Sequence, residues 1–131
     1  NTGMYDCNRL PLPPEGAVLA SVDSDISLKA GAWIMPNNEY PGALEEFLIE
    51  MIPIEDELMV EVENKLMELE SQCKQRYAAK DRNKAKVQTY TAWERKPGIS
   101  VATAVKSRIL NPHTPTADKF VEWIKEVFVN E

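Results

Sequence analysis

The segment from Gly31 to Ile52 constrains the fold of this chain more than any other part of the sequence. An apolar run ends at Pro36, a polar turn follows, and a helical pattern begins at Pro41. Proline suits the first position of a helix, because the N–H group that it lacks would have no partner there. A strand end that faces a helix start is where α/β proteins commonly bind ligands. We therefore expect an α/β fold with a candidate site at this turn.

Two short strands are expected within residues 16–36, after an extended, proline-rich lead-in over residues 1–15. The strand candidates are residues 17–22 and 29–35, which are mostly apolar. The Asp-Ser-Asp sequence at 23–25 is typical of a turn, since these side chains bond to nearby backbone amides. It also has the form of an Asp-x-Asp metal motif, although a turn requires no metal. An antiparallel two-stranded ribbon is the simplest arrangement.

About five helices are expected between residues 41 and 128, in a single domain that spans residues 1–131. The second helix carries an apolar stripe that ends at Cys73. Residues 83–94 also alternate like a strand, but the stop at Pro97-Gly98 favours a helix. The helices are predicted at 41–52, 54–76, 83–94 and 101–110 (capped by Ser100), with a last helix capped by Thr116.

The charge of the chain limits the partners that it can bind. Of its 131 residues 44% are hydrophobic, and the net charge is −6. A general electrostatic attraction to nucleic acid is therefore excluded, and any phosphate binding must be local or metal-mediated. No apolar run approaches the roughly 18 residues that a membrane-spanning helix requires. We expect a cytoplasmic globular protein with no membrane partner.

Cysteine and histidine give little support for a metal or catalytic site. Cys7 and Cys73 match no metal-binding spacing, and Cys73 is expected to be a buried thiol, with a Cys7–Cys73 disulfide as the alternative. His113, the only histidine, lies in a proline-flanked turn where we expect it to be exposed. The tryptophans expected in the core are Trp33, Trp93 and Trp123.

Three segments carry a family resemblance: GAWIMPNNEYPGALEEFL at 31–48, KAKVQTYTAWERKPG at 84–98 and FVEWIKEVF at 120–128. They resemble a family of bacterial and phage proteins of unknown function that is related to TOPRIM-domain (OLD-like) nucleases. The first segment is the most specific, and the resemblance extends from about residue 13 to residue 128. It implies a TOPRIM-like α/β sandwich with a mainly parallel sheet.

The resemblance also implies metal-dependent phosphodiester or nucleotide chemistry. TOPRIM enzymes hold Mg²⁺ with a Glu after the first strand and an Asp-x-Asp after a later one, and such oxygen ligands suit this ion. The part of the family that should supply those ligands has no counterpart here, and the chain begins at Asn1 rather than at Met. We therefore expect a fragment, the C-terminal portion of a TOPRIM-like domain, which is inactive by itself.

The turn and the helix after it hold the candidate ligands. By the resemblance Glu45 is an accessory Mg²⁺ ligand, and on a helical wheel it lies at the rim of the apolar stripe. Asn37, Asn38 and Glu46 are candidate ligand-binding residues, and Asn37 stands where the family typically has Asp. The alternative is structural: the helix dipole stabilises both acids, and the asparagines form the turn.

A cluster of cations is the one place where a phosphate backbone could dock on this acidic chain. Its alternative interpretation is a solvated helix end and linker. The nucleic-acid-binding candidates are Lys74, Arg76, Lys80, Arg82, Lys84 and Lys86.

Two functions follow from these observations. The first is Mg²⁺-dependent chemistry on phosphodiesters or nucleotides in a longer protein. The second is a non-enzymatic protein-interaction module, which would use an exposed strand edge or helix face. Dimerisation through such an edge or face is expected under either hypothesis, because an unpaired strand edge tends to pair with another chain.

Overall fold

The computed structural model describes residues 12–21 and 28–129, and its layout there confirms the predicted α/β class. Two strands precede five α-helices and one short 3₁₀ helix. Their bounds are β1 Ala17–Ala20, β2 Lys29–Ala32, α1 Leu44–Glu50, α2 Glu57–Ser71, the 3₁₀ helix Ala79–Asp81, α3 Arg82–Ala92, α4 Val101–Lys106 and α5 Pro115–Phe128. None of the described helices is both long enough and apolar enough to cross a membrane.

The chain divides into two compact units. The ribbon unit consists of Asn1–Phe47 with His113–Glu131, and the helical unit consists of Leu48–Pro112. The prediction of one domain over residues 1–131 stays a prediction.

The ribbon unit is built on β1 and β2, which pair antiparallel from Ala17 opposite Ala32 to Ala20 opposite Lys29. The described strands therefore form an antiparallel ribbon, as the sequence predicted, and not the mainly parallel sheet that the resemblance implied. The predicted turn at 23–25 lies outside the described residues. Helix α5 packs against both strands.

An aromatic cluster forms the centre of the ribbon unit. Phe120 lies 5.2 Å from Trp33, 5.3 Å from Phe47 and 5.5 Å from Trp123 between ring centroids. The indole Nε1 of Trp123 donates to the carbonyl of Ala17 at 3.0 Å. The strand ribbon and α5 are thus joined by ring packing, and the hydrogen bond from Trp123 fixes the position of the indole.

The helical unit is organised around the packing of α2 against α3. Val62 and Leu66 on α2 and Tyr90 on α3 are buried. Asp56 caps α2, because one carboxylate oxygen accepts from the amide of Met59 at 2.9 Å. The other oxygen accepts from the hydroxyl of Tyr90 at 3.1 Å. The side chain of Asp56 therefore caps the N-terminus of α2 and also bonds α2 to α3.

Helix α2 ends earlier than the predicted 54–76, and the position of Cys73 was predicted wrongly. Cys73 is exposed and has a positive φ of 50°. The amide of Cys73 bonds to the carbonyl of Glu70 at 3.1 Å, and the amide of Lys74 bonds to that of Leu69 at 2.8 Å. This pair of bonds is the Schellman arrangement that closes a helix with a left-handed residue. Cys73 therefore terminates α2 instead of extending its apolar stripe.

Other boundaries also differ from the predictions, and both strands end earlier than predicted, at Ala20 and Ala32. Helix α1 begins at Leu44 and not at Pro41. Helix α4 starts after Ser100, as predicted, but ends at Lys106 instead of residue 110. The cap of α5 is Thr114, not Thr116, and Pro115 occupies the first turn. The prediction of a helix over residues 83–94 is confirmed, with α3 at Arg82–Ala92.

Some residues that were predicted to be buried are exposed. Trp93 is 49% exposed, so the prediction that it belongs to the core was wrong, whereas Trp33 and Trp123 are half-buried in the aromatic cluster. Trp93 directly follows α3, and at a helix end the helical period alone cannot show which positions another element covers. Leu44 on α1, and Val121 and Phe128 on α5, are also exposed.

Candidate functional site

The turn between β2 and α1 is held by its own side chains, Asn38 above all. Asn38 has a φ of 65°, a left-handed conformation that asparagine tolerates better than most residues. Its side-chain oxygen accepts from the amide of Ile34 at 2.6 Å, and its side-chain nitrogen donates to the carbonyl of Pro14 at 3.2 Å. The Nε1 of Trp33 also donates to the carbonyl of Pro36 at 3.2 Å. Asn38 thus joins the turn to the segment before β1.

Asn37 orders the second half of the same turn. Its side-chain oxygen accepts from the amides of Glu39 and Tyr40, both at 3.1 Å. An asparagine that bonds to the backbone two residues ahead forms an Asx turn. The structural alternative therefore accounts for the positions of Asn37 and Asn38, and a ligand-contacting role for either residue stays a prediction.

The two glutamates at the start of α1 differ in their surroundings. Glu46 Oε2 accepts from the amide of Ala43 at 2.7 Å, which satisfies a backbone N–H that precedes the helix. Glu45 occupies the second position of the seven-residue helix α1 and is half-buried. Both carboxylates lie where the helix dipole favours negative charge. Glu46 contributes to the fold of the turn, and a ligand-binding role for either glutamate stays a prediction.

The described part of the chain offers no group of three or more His, Cys, Asp or Glu side chains that could hold a metal ion. Mg²⁺ in phosphoryl-transfer sites is commonly bound through one or two carboxylates, waters and substrate phosphate. Glu45 is one carboxylate of this kind, and its role as a Mg²⁺ ligand stays a prediction.

Glutamates on α2 neutralise part of the positive charge of the six predicted nucleic-acid-binding residues. Arg82 Nη2 donates to Glu63 Oε1 at 2.6 Å, and Arg82 Nε donates to Glu70 Oε1 at 2.8 Å. Lys86 Nζ lies 2.8 Å from Glu63 Oε2, and the hydroxyl of Tyr77 donates to Glu70 Oε1 at 2.7 Å. We call these five residues the α2–α3 ion-pair network. Two of the six predicted nucleic-acid contacts, Arg82 and Lys86, belong to this network.

The network shifts the pKa values of Glu63, Glu70, Tyr77 and Arg82. The hydrogen bond from Arg82 lowers the pKa of Glu63, against an opposing effect of burial. The hydrogen bond from Tyr77, and then that from Arg82, lowers the pKa of Glu70. Burial, reinforced by Glu70, raises the pKa of the Tyr77 hydroxyl. The two carboxylates also raise the pKa of Arg82. All four directions favour a network that is fully ionised at neutral pH, with Tyr77 protonated.

The other four cations lie on or beside the connection between α2 and α3. Lys74, Arg76 and Lys80 are exposed in residues 72–81, and Lys84 is exposed on the first turn of α3.

The two glutamates that bind Arg82, Glu63 and Glu70, were not predicted from the sequence. Their separation by two helical turns, on one face of α2, was the available signal.

A family model described as a protein of unknown function (DUF3226) matches residues 4–129, nearly the whole chain. No curated protein and no solved structure matches the chain. The family match carries no statement about TOPRIM-domain nucleases, so that relationship stays a prediction.

Proposed function

We propose that this chain, which belongs to the DUF3226 family, is a non-enzymatic interaction module that dimerises through the edge of strand β1. The observation that carries the proposal is the two-stranded ribbon: α5 packs on it, yet within residues 12–21 and 28–129 neither outer edge has a strand partner. A two-stranded ribbon is marginally stable unless it is extended or covered. Pairing with another strand would extend it.

The backbone pattern indicates which groups such a partner would meet. The amide of Ser21 donates to the carbonyl of Leu28 at 2.8 Å, so these residues form a hydrogen-bonded pair. Hydrogen-bonded and non-bonded pairs alternate along an antiparallel ladder. The N–H and C=O groups of Val18 and Ala20 therefore point away from β2, towards a new strand.

The two edges of the ribbon differ in how well each could pair with a strand of another chain. Strand β1 has the sequence Ala-Val-Leu-Ala and carries no charge, whereas β2 begins with Lys29 and contains Gly31. A lysine on an edge strand discourages pairing, because the approaching chain must desolvate or displace its charge. Strand β1 is therefore the edge that we assign to the interface.

A second copy of this chain is the simplest occupant of that edge. Two β1 strands related by a two-fold axis would run antiparallel and would form one four-stranded sheet. The interface would bring together uncharged residues from both copies. No like-charged side chains would face each other at its centre.

Sedimentation velocity with two proline variants tests this proposal. Val18→Pro removes an outward-pointing N–H on β1, and Lys29→Pro removes the corresponding N–H on β2, so both variants carry similar proline strain. We expect the wild type and Lys29→Pro to dimerise and a folded Val18→Pro to be monomeric. A monomeric wild type across the accessible concentration range, or a dimeric Val18→Pro, would contradict the proposal.

A second candidate function is the Mg²⁺-dependent phosphodiester or nucleotide chemistry implied by the TOPRIM resemblance. The observation that favours it is the exposure of Lys74, Arg76 and Lys80, which lie outside the ion-pair network. Bound Mg²⁺ would orient a phosphate and stabilise developing charge. In the ribbon unit, Glu45 would supply one Mg²⁺ ligand. In the helical unit, the three cations would attract a nucleic-acid backbone. By this proposal the chain is inactive alone.

Calorimetric titration with Mn²⁺ tests the role of Glu45. Glu45→Ala should abolish binding, and Glu50→Ala, on an exposed residue at the end of the same helix, should leave it unchanged. Anisotropy of a labelled single-stranded oligonucleotide tests the cations: Lys74→Glu should weaken binding, and Lys119→Glu on α5 should not. Metal-dependent cleavage by this chain alone that survives Glu45→Ala would refute the second candidate.

A further inference from the structure

A cleft of about 380 Å³ lies in the helical unit, between the end of α3 and helix α4. Its volume is within the range of small-molecule sites. None of its lining residues was predicted to be functional, and neither proposed function uses them. The lining residues are Glu94, Arg95, Lys96, Ile99, Thr103, Ser107 and Ile109.

The backbone on both sides of the cleft is fixed by hydrogen bonds. After α3, the amide of Gly98 donates to the carbonyl of Thr91 at 3.0 Å, so the segment 92–98 turns back on the helix end. Gly98 has a φ of 73°, a conformation that glycine adopts without steric penalty. Ser100 then caps α4 by accepting from the amide of Thr103 at 3.2 Å. The cleft is therefore a product of two defined chain reversals.

Helix α4 presents hydroxyl groups and ends beside an isoleucine. Thr103 and Ser107 are one helical turn apart and lie on the same side of α4. Arg108 has a φ of 62° and ends the helix, and the amide of Ile109 bonds back to the carbonyl of Ala104 at 3.0 Å. This reversal places Ile109 in the wall of the cleft. Ile99 and Ile109 are both half-buried.

The lining carries a local charge opposite to that of the whole chain. Arg95 and Lys96 contribute two positive charges and Glu94 one negative charge, in a protein whose net charge is −6. Glu94 Oε2 accepts from the backbone amide of Arg95 at 3.3 Å, so part of its charge is directed at the backbone. A cleft with an excess of cations favours anionic ligands over cationic ones.

From this arrangement we propose that the cleft binds a phosphate monoester with a small apolar group. Arg95 and Lys96 pair with the phosphate, since arginine in particular matches its geometry. The hydroxyl group of Ser107 donates to a phosphate oxygen. The hydroxyl group of Thr103 does the same while it accepts from the hydroxyl of Ser100, 2.9 Å away. Ile99 and Ile109 contact the apolar group, which distinguishes the ester from inorganic phosphate.

An NMR titration of the isotopically labelled chain tests the site, with phenyl phosphate and inorganic phosphate as probes. We expect saturable shifts of the amides of Thr103 and Ser107 with both probes, and tighter binding of phenyl phosphate. Arg95→Gln and Lys96→Gln should each weaken binding about tenfold, as expected for loss of a hydrogen bond to a charged group. Lys106→Gln removes the same charge from α4 outside the cleft lining, and it should change affinity less than about twofold.

Three results would overturn the proposal. The first is the absence of saturable shifts at Thr103 and Ser107 with either probe. The second is equal weakening by Lys96→Gln and Lys106→Gln, which would indicate general attraction of anions. The third is equal affinity for the two probes, which would remove the role of Ile99 and Ile109. Unchanged melting temperatures of the variants would show that a loss of binding is not a loss of folding.

Discussion

The indole of Trp123 lies over Gly31 so closely that a Cβ atom on Gly31 would come within 2.8 Å of Cζ2 of the ring. The same added atom would also collide with the side chain of Val127. Gly16 has a similar relationship to Trp123, with 2.6 Å between a hypothetical Cβ and Cδ1. The ribbon and α5 therefore approach each other at positions where any larger residue requires a shift.

Gly31→Ala should lower the free energy of unfolding by about 1–3 kcal/mol, because the added methyl group forces the side chains of Trp123 and Val127 to shift. Urea unfolding followed by Trp fluorescence measures the change. Gly31→Ala combined with Val127→Ala should lose less than the sum of the single variants, because the smaller residue removes one of the collisions. Additive losses would show that the effect of Gly31→Ala does not arise from this contact.

Arg82→Met should destabilise the helical unit by about 1–2 kcal/mol, because Glu63 and Glu70 each lose a charged partner in a half-buried setting. The control is Lys65→Met. It breaks an exposed pair with Glu68 on the same helix, where about 0–0.5 kcal/mol is expected. Urea unfolding compares the two variants. Equal effects would mean that the Arg82 pairs contribute no more than surface pairs.

The ion-pair network should make stability depend on pH in the acid range. The pKa of Glu63 is lowered from its ordinary 4.5, and that of Glu70 is also lowered. The unfolded state therefore binds protons more tightly than the folded state, and stability falls as pH decreases below about 4.5. Above that pH the contribution is complete. Urea unfolding from about pH 3 to pH 7 should show a steeper acid loss in the wild type than in Arg82→Met. Parallel curves of stability against pH for the wild type and Arg82→Met would contradict this prediction.

Asn38→Ala should cost about 1–2 kcal/mol, because it removes two hydrogen bonds and leaves a left-handed backbone without a suitable residue. Asn38→Gly removes the same bonds but tolerates the backbone, so it should cost less. At the neighbouring position, Asn37→Asp keeps the accepting oxygen and should be close to neutral. Thermal unfolding of the three variants measures this order. An Asn38→Gly variant less stable than Asn38→Ala would contradict it.

The existence of the helices was predictable from the sequence, but several of their ends were not. Cys73 and Arg108 both close a helix in the left-handed conformation, a position that sequences usually mark with glycine. Because neither position is glycine, the helical pattern of the sequence continues past both residues, and the predicted helices were too long. Thr114 is a different case, because Pro115 directly after it marks the first turn of a helix and could have identified the cap.

Only part of the candidate site could be predicted from the sequence, and the reason is physical. The turn formed by Asn37 and Asn38 depends on residues close in sequence, and its structural interpretation could be stated in advance. The pairing of Arg82 with Glu63 and Glu70 depends on how α2 packs against α3, which local patterns do not contain. The run of six cations therefore indicated more available positive charge than the folded chain presents.

Some of these cations are paired and others are exposed, so added salt should affect the two groups differently. The pairs of Arg82 and Lys86 are short and half-buried, and added salt screens such pairs weakly. Binding of a polyanion by Lys74, Arg76 and Lys80 would release counterions and weaken steeply as salt increases. High salt should therefore remove any attraction of this segment for nucleic acid while leaving the packing of α2 on α3 almost intact.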